Sequence, residues 1–311
     1  MTILTEATKF ALSASYSELP SEAIEIAKRA LIDYVGLTLG GSQEPISTSL
    51  QSYGIWLSGV RESRVFGTDM IVPHNIAALV NGAAAHALDY DDVSWTTIGH
   101  PTVAVAPAVF AVGEMTHSSG KEILKSYIVG VEIAHKIASL VMPEVSSNGW
   151  HTTAVFGPFG ATAASGLLRN LDSESFTSAL GIAASKASGI RANFGTMTKA
   201  YHAGMAAFNG TTAAILAGLG VTASESAVEG QDGFARAFAA KNVKSDSVRF
   251  GRPWDIIKPG LVFKRYPCCS GAHPALDCML EVIAETPFTA DEVESIHVGV
   301  SLLGPWVRSS T

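Results

Sequence analysis

The sequence predicts a mainly α-helical protein: a large all-helical domain over residues 1–262, followed over 263–311 by the beginning of a smaller α/β domain. Three observations carry that expectation. Apolar residues make up 47% of the 311-residue chain and charged residues only 16%, which suits a large buried core and excludes a disordered chain. Apolar positions recur at helical spacing in one segment after another, up to about Gly260. Beyond that point a short stretch alternates with period two, the pattern of a strand.

The elements follow in order. Ser21–Leu37 places Ile24, Ala27, Leu31 and Val35 on one face and Glu22, Glu25 and Arg29 mostly on the other, with Leu19-Pro20-Ser21 as a start signal and Gly40-Gly41 as a stop. Asn75–Leu88 is Ala-rich and apolar nearly all round, so it is expected to be buried. Val103–Glu114 and Lys121–Val141 read as two further helices, the second with Ser118-Ser119-Gly120 before it and Pro143 after it. Val155–Leu168, Ser173–Ser188, Lys199–Leu219 and Asp232–Ala239 complete the helical set. Runs such as Ala83-Ala84-Ala85, Ala206-Ala207 and Ala213-Ala214 let helix axes approach closely. No repeat of fixed period is present. In Glu294–Leu302, Ile296, Val298 and Val300 alternate with His297, Gly299 and Ser301, and this strand requires a partner.

Composition narrows the function. The net charge is −7, and no basic run points to nucleic acid. The uncharged stretches Val93–Gly113 and Ala203–Ser224 are long enough to span a bilayer. His100, Pro101 and Pro107 break up the first, and Asn209, Thr211, Thr212 and glycines the second, so both read as buried helices. Cys268, Cys269 and Cys278 form no CxxC pair, and the N-terminus lacks a signal-peptide pattern, so a reducing, cytoplasmic setting is expected. Dinucleotide, P-loop, zinc-protease and nucleophile-elbow motifs are all missing. Ser118-Ser119-Gly120-Lys121 matches SxxK formally but reads as a helix start.

Four polar segments stand out in apolar surroundings. Asp89-Tyr90-Asp91-Asp92 closes an apolar helix and Gly99-His100-Pro101 follows. A metal site, a solvated helix end, and a carboxylate orienting a histidine all fit that pattern. His151, after Gly149-Trp150, opens another apolar helix, which suits a capping or packed histidine. Lys199 and His202 are three apart and share a helix face, where the lysine could hold an anion or reach solvent. Phe263-Lys264-Arg265-Tyr266-Pro267-Cys268-Cys269 carries two adjacent cations in an extended stretch. Its cysteines read as small hydrophobes rather than as nucleophiles paired with His273.

Taken together and in this order, residues 88–101, 149–161, 195–210 and 263–275 resemble the MmgE/PrpD family, which includes 2-methylcitrate dehydratase, cis-aconitate decarboxylase and iminodisuccinate epimerase. The resemblance implies a helical domain with a smaller α/β lid, assembled as a homodimer. It also implies that the chain stops soon after the lid begins, as a fragment would. It implies pocket positions at Asp89, His100, His151, Lys199 and Lys264, with Arg265, Tyr266, Cys269 and His202 beside the substrate. Val93 stands where the decarboxylase pattern has Thr, and Cys269 where it has His. The implied chemistry is proton transfer at a carbon next to a carboxylate of a small di- or tricarboxylate, without cofactor or metal. Fixed cations face the developing charge, and His100, oriented by Asp89, serves as general acid and base, with His151 as a second proton carrier or carboxylate binder. A hydro-lyase of the 2-methylcitrate dehydratase type is the expected activity. An epimerase, a decarboxylase of the cis-aconitate type and an inactive helical dimerisation module are the alternatives.

Overall fold

The structure of the chain, a computed structural model, describes residues 1–299. Its α-helices are α1 (Ile3–Ser13), α2 (Ser21–Gly40), α3 (Pro45–Leu57), α4 (His74–His86), α5 (Thr102–Met115), α6 (Gly120–Val141), α7 (Glu144–Ser147), α8 (Thr152–Leu168), α9 (Ser173–Lys186), α10 (Met197–Gly218), α11 (Phe234–Ala239) and α12 (His273–Glu285). Two short antiparallel ribbons accompany them. In one, β1 (Ser63–Arg64) pairs with β2 (Ile71–Val72). In the other, β3 (Val93–Ser94) pairs with β4 (Leu261–Val262). The fold is mainly α, as the sequence predicts.

The helix ends follow from local chemistry. The Ser119 hydroxyl accepts from the Glu122 N–H while the Glu122 carboxylate accepts from the Ser119 N–H, a capping box that starts α6. Asp172 caps α9 through the Ser175 N–H. Helices α1 and α3 escape the sequence reading. The cap of α1 pairs Thr2 with Thr5 instead of an acidic residue, and α3 is rich in Ser, Thr and Gln, which weakens both the start signal and the apolar stripe.

The core is built around helices with no polar face. Every residue of α8 is buried, and α10 packs against α8, α4, α9 and α5. Small residues make this possible. A Cβ at Gly204 of α10 would lie 2.2 Å from the Leu79 carbonyl oxygen of α4. Gly204→Ala is therefore expected to cost about 3 kcal/mol in urea unfolding, because backbone cannot yield as a side chain can.

A buried clasp steers the chain towards the ribbon at residue 261. Glu132 of α6 accepts from the main-chain N–H groups of Gly251 (2.7 Å) and Asp255 (2.8 Å). Lys136 donates to the Asp255 carboxylate and the Pro253 carbonyl, both at 2.9 Å. The segment that follows forms β4, registers Val262 against Val93 and Leu261 against Ser94, and so delivers Lys264 to the end of α4.

The expected strand at Glu294–Leu302 is not seen in its described part. Residues 294–299 adopt no strand, and the remainder lies outside the described residues. Helix α12 buries none of its side chains against the described residues.

Candidate active site

Five segments converge where α4 ends, joined by the stretch after β4 that carries Lys264. α4 supplies His86, the turn after it Asp89, Asp91 and Asp92, the loop before α5 His100, the start of α8 His151, and α10 Lys199 and His202. Asp89 sits at φ +49°, a left-handed turn that Asp tolerates, and its side chain meets both lysines. Its two oxygens face Lys199 Nζ at 2.8 Å and Lys264 Nζ at 2.6 Å, and Lys264 also donates to the Asp89 carbonyl at 2.6 Å. The Lys264 side chain is fully buried. Burial pushes the Asp89 carboxyl up, but Lys199 and Lys264 outweigh it and hold it at about 2.

Asp91 is the hub of the second half. It accepts from His86 Nδ1 at 2.8 Å and faces His100 Nδ1 at 3.0 Å, and His100 Nδ1 also lies 3.0 Å from the Asp92 carbonyl. Burial alone would raise this carboxyl, yet His100 and His86 hold it well below the usual carboxylate range. A nitrogen that faces two acceptors carries the hydrogen, so neutral His100 keeps Nε2 bare. The rings form a row. Centroids lie 4.7 Å apart for His86 and His100, 6.0 Å for His86 and His151, and 5.3 Å for His151 and His202, whose Nδ1 atoms are 3.1 Å apart. Burial lowers His86 to about 4, and lowers His151 and His202 as well. The loop is pressed onto α8, where a Cβ at Gly99 would lie 2.8 Å from Thr152 Oγ1, and the His100 N–H donates to Thr153 Oγ1 at 3.0 Å.

Asp92 turns away from this row. It accepts from the Thr102 N–H and hydroxyl at the start of α5, and Tyr127 backs that hydroxyl at 2.6 Å. Burial raises its carboxyl to about 7. The folded state thus holds a proton that the unfolded state releases near 3.8, and Asp92 subtracts stability as pH rises between those values. Asp92→Asn lacks this term. Its stability relative to the parent is expected to rise by about 1.4 kcal/mol per pH unit between pH 4 and 7, read by urea unfolding.

One donor atom from each of His86, Asp89, Asp91 and His100 lies within 4.8 Å of the others, spacing that suits a divalent cation. The carboxylates are already engaged, Asp89 by two ammonium groups and Asp91 by two imidazoles, and an added cation would meet Lys199 and Lys264 at close range.

A sequence model of the MmgE/PrpD N-terminal domain matches residues 5–246. The chain belongs to the MmgE/PrpD family. Among curated proteins it is similar to the cis-aconitate decarboxylase of Homo sapiens, 31% identical over 275 residues that cover 85% of this chain and 56% of that protein. The Mus musculus cis-aconitate decarboxylase is 29% identical, with 90% and 60% covered, and that of Aspergillus terreus 26% identical, with 96% and 65% covered. The chain thus spans 56% to 65% of the length of these relatives.

Of the residues that the MmgE/PrpD resemblance nominates, the structure brings Asp89, His100, His151, Lys199, Lys264 and His202 into one cluster. It corrects one relation: Asp91, not Asp89, holds His100, because the two lysines take both oxygens of Asp89. Arg265 is exposed and turns to Asp277 at 3.2 Å, and the Tyr266 hydroxyl donates to the same carboxylate at 2.5 Å. Cys269 is exposed. These three are not drawn into the cluster. His86 was missed because a lone histidine at the end of an Ala-rich helix carries no spacing signal. Among the described residues, no helix is long and apolar enough to cross a membrane.

Proposed function

We propose that this MmgE/PrpD protein is a lyase for a small tricarboxylate, working by proton transfer at a carbon next to a carboxylate. The observation that carries this reading is the pair of lysines on Asp89 beside a row of imidazoles. An ammonium has three N–H donors. Lys199 spends one on Asp89 and Lys264 spends two on Asp89, so each keeps at least one for a substrate carboxylate. That fixes the reacting carbon and puts positive charge where negative charge develops. His100 carries the proton through Nε2, and His151 is the second carrier.

The relatives support decarboxylation as the leading subclass. The bond from carbon to one carboxylate breaks, carbon dioxide leaves, and the electron pair spreads into the carboxylate conjugated with the remaining double bond. A proton that His100 has first taken up from solvent at Nε2, or one from His151 that solvent then replaces, completes the product. Val93 and Cys269 depart from the decarboxylase pattern, which weakens that subclass and keeps dehydration as a second reading. There His100 takes the α-proton and a protonated partner helps hydroxide leave as water. Neither scheme routes a step through a cofactor or metal.

The test is proton NMR in D₂O with cis-aconitate, citrate and 2-methylcitrate. Decarboxylation is expected to consume cis-aconitate with release of carbon dioxide and deuterium in the product. Olefinic signals from 2-methylcitrate would establish dehydration instead. Exchange without either would establish an epimerase. No change with any of the three, from folded protein, would overturn the assignment.

The remaining expectations belong to the same proposal: a lid beginning at residue 263, a cytoplasmic setting and a homodimer. Exposed Trp56 and Ile55, with Tyr53 stacked on Trp56, offer apolar surface for association. Light scattering is expected to give twice the 32.5 kDa chain mass.

A further inference from the structure

Behind His100 lies a chamber that the proposed reaction does not use. It measures about 10 Å³ and is lined by Thr97, His100, His135, Thr152, Thr153 and Phe156, among others. That is room for about one water molecule.

The wall is polar in an unusual way. His135 of α6 is fully buried, yet neither of its ring nitrogens has a hydrogen-bond partner. The Thr97 hydroxyl is buried and unpartnered as well. Thr153 Oγ1 accepts from the His100 N–H, which leaves its own O–H free to donate. Buried polar groups without partners are rare, and a buried water typically serves two to four of them. Burial lowers His135 to about 3, with Lys136 adding to the effect. The ring is therefore neutral, with one N–H to give and one bare nitrogen to accept. The ionisable groups on the chamber wall are His135 and His100. On its far side His100 faces Asp91, and Asp91 also holds His86.

We propose that His135, Thr97 and Thr153 together hold one water in this chamber, and that His135 thereby acts as a positioning residue for His100. The path is short: His135 fixes the water, the water fixes the Thr153 hydroxyl, and that hydroxyl holds the His100 main chain. Asp91 holds the ring from the other side, so His100 is gripped at both ends. The positioning role rests on His100 being the proton carrier, whereas the water site does not.

The experiment is a high-resolution crystal structure of the full chain, the His135→Gln variant and the His135→Phe variant. The parent is expected to show one water within hydrogen-bond distance of a His135 ring nitrogen and Thr97 Oγ1. His135→Gln, which keeps a donor and an acceptor, is expected to retain it. His135→Phe, which fills the space with a bare ring, is expected to lose the water and, with it, the bond from His100 to Thr153. A dry chamber in the parent overturns the site. An unmoved His100 in His135→Phe overturns the positioning role. If His135→Phe does not fold, Thr97→Val decides on the same two readouts. Crystallography reads both outcomes without substrate, so failure of the lyase assignment would be seen separately in the NMR assay.

Discussion

Lys264→Met is expected to lower kcat/KM by about 10²- to 10³-fold, the loss seen when one fixed donor is removed from a developing oxyanion. The substitution keeps the length of the buried stem and removes the ammonium, with its charge and its N–H donors to the Asp89 carboxylate and carbonyl. Its second effect falls on Asp89, which keeps Lys199 and loses its 2.6 Å partner. Holding that carboxyl at about 2 instead of 3.8 corresponds to about 2 kcal/mol of stability at neutral pH. A depressed carboxyl contributes fully above 3.8 and loses its contribution as pH falls towards 2. Part of this stability is therefore expected to disappear in the variant at pH 7, and much less of it to be at stake at pH 2.5. Adding Asp89→Asn is expected to remove the remainder of this stability at pH 7, because Lys199 then loses its carboxylate partner as well. Parent-level turnover in Lys264→Met alone would mean that the lysine serves the fold alone.

Asp91→Asn is expected to cut kcat by about 10²- to 10⁴-fold, the range of general acid–base catalysis, with KM changed by only a few fold. Asp91 presents acceptors to two N–H groups at once. Both imidazoles approach Oδ2, and His86 Nδ1 also lies 3.0 Å from Oδ1, so a carboxamide, with one oxygen and one NH₂, sets a donor against His86 in either orientation and removes the negative charge that holds both rings. The bare Nε2 of His100 is no longer guaranteed, and the ring is free to turn. Asp89→Asn makes the contrast, because it loosens the two lysines that hold substrate and is expected to act mainly through KM. Steady-state kinetics with the substrate that turns over in the NMR panel checks both. Equal effects of the two variants on kcat would contradict the separate roles assigned to the two carboxylates.

Much of the helical body is legible in the sequence, for reasons specific to each segment. The span of α6 follows from its Ser119 cap and from Pro143 beyond its end. α2 extends from the Leu19-Pro20-Ser21 signal to the glycine pair at 40 and 41. α4, α8 and α10 are conspicuous as long apolar stretches with few charges. α3 is not legible, because its Ser and Thr residues favour turns as readily as helix. The site is legible as a list, since a histidine or lysine in apolar surroundings needs a reason. The pairing within that list is not. Asp89, Asp91 and Asp92 lie within four positions, yet one meets two lysines, one holds two imidazoles and one caps α5 with its proton retained to about 7.

What the sequence determined by itself is the helical periodicity, the small-residue seams and the supply of lysines, histidines and carboxylates, all of which are local properties of the chain. The tertiary structure alone decided which charge faces which. Lys264 reaches Asp89 because β4 registers on β3 across more than 160 residues, and a hydrogen-bond register over that distance leaves no periodic trace. It alone also decided the ionisation states, because burial and neighbouring charge are sums over everything that packs around a group. Asp89 and Asp92, the same residue type three positions apart, are held at about 2 and about 7 by those sums.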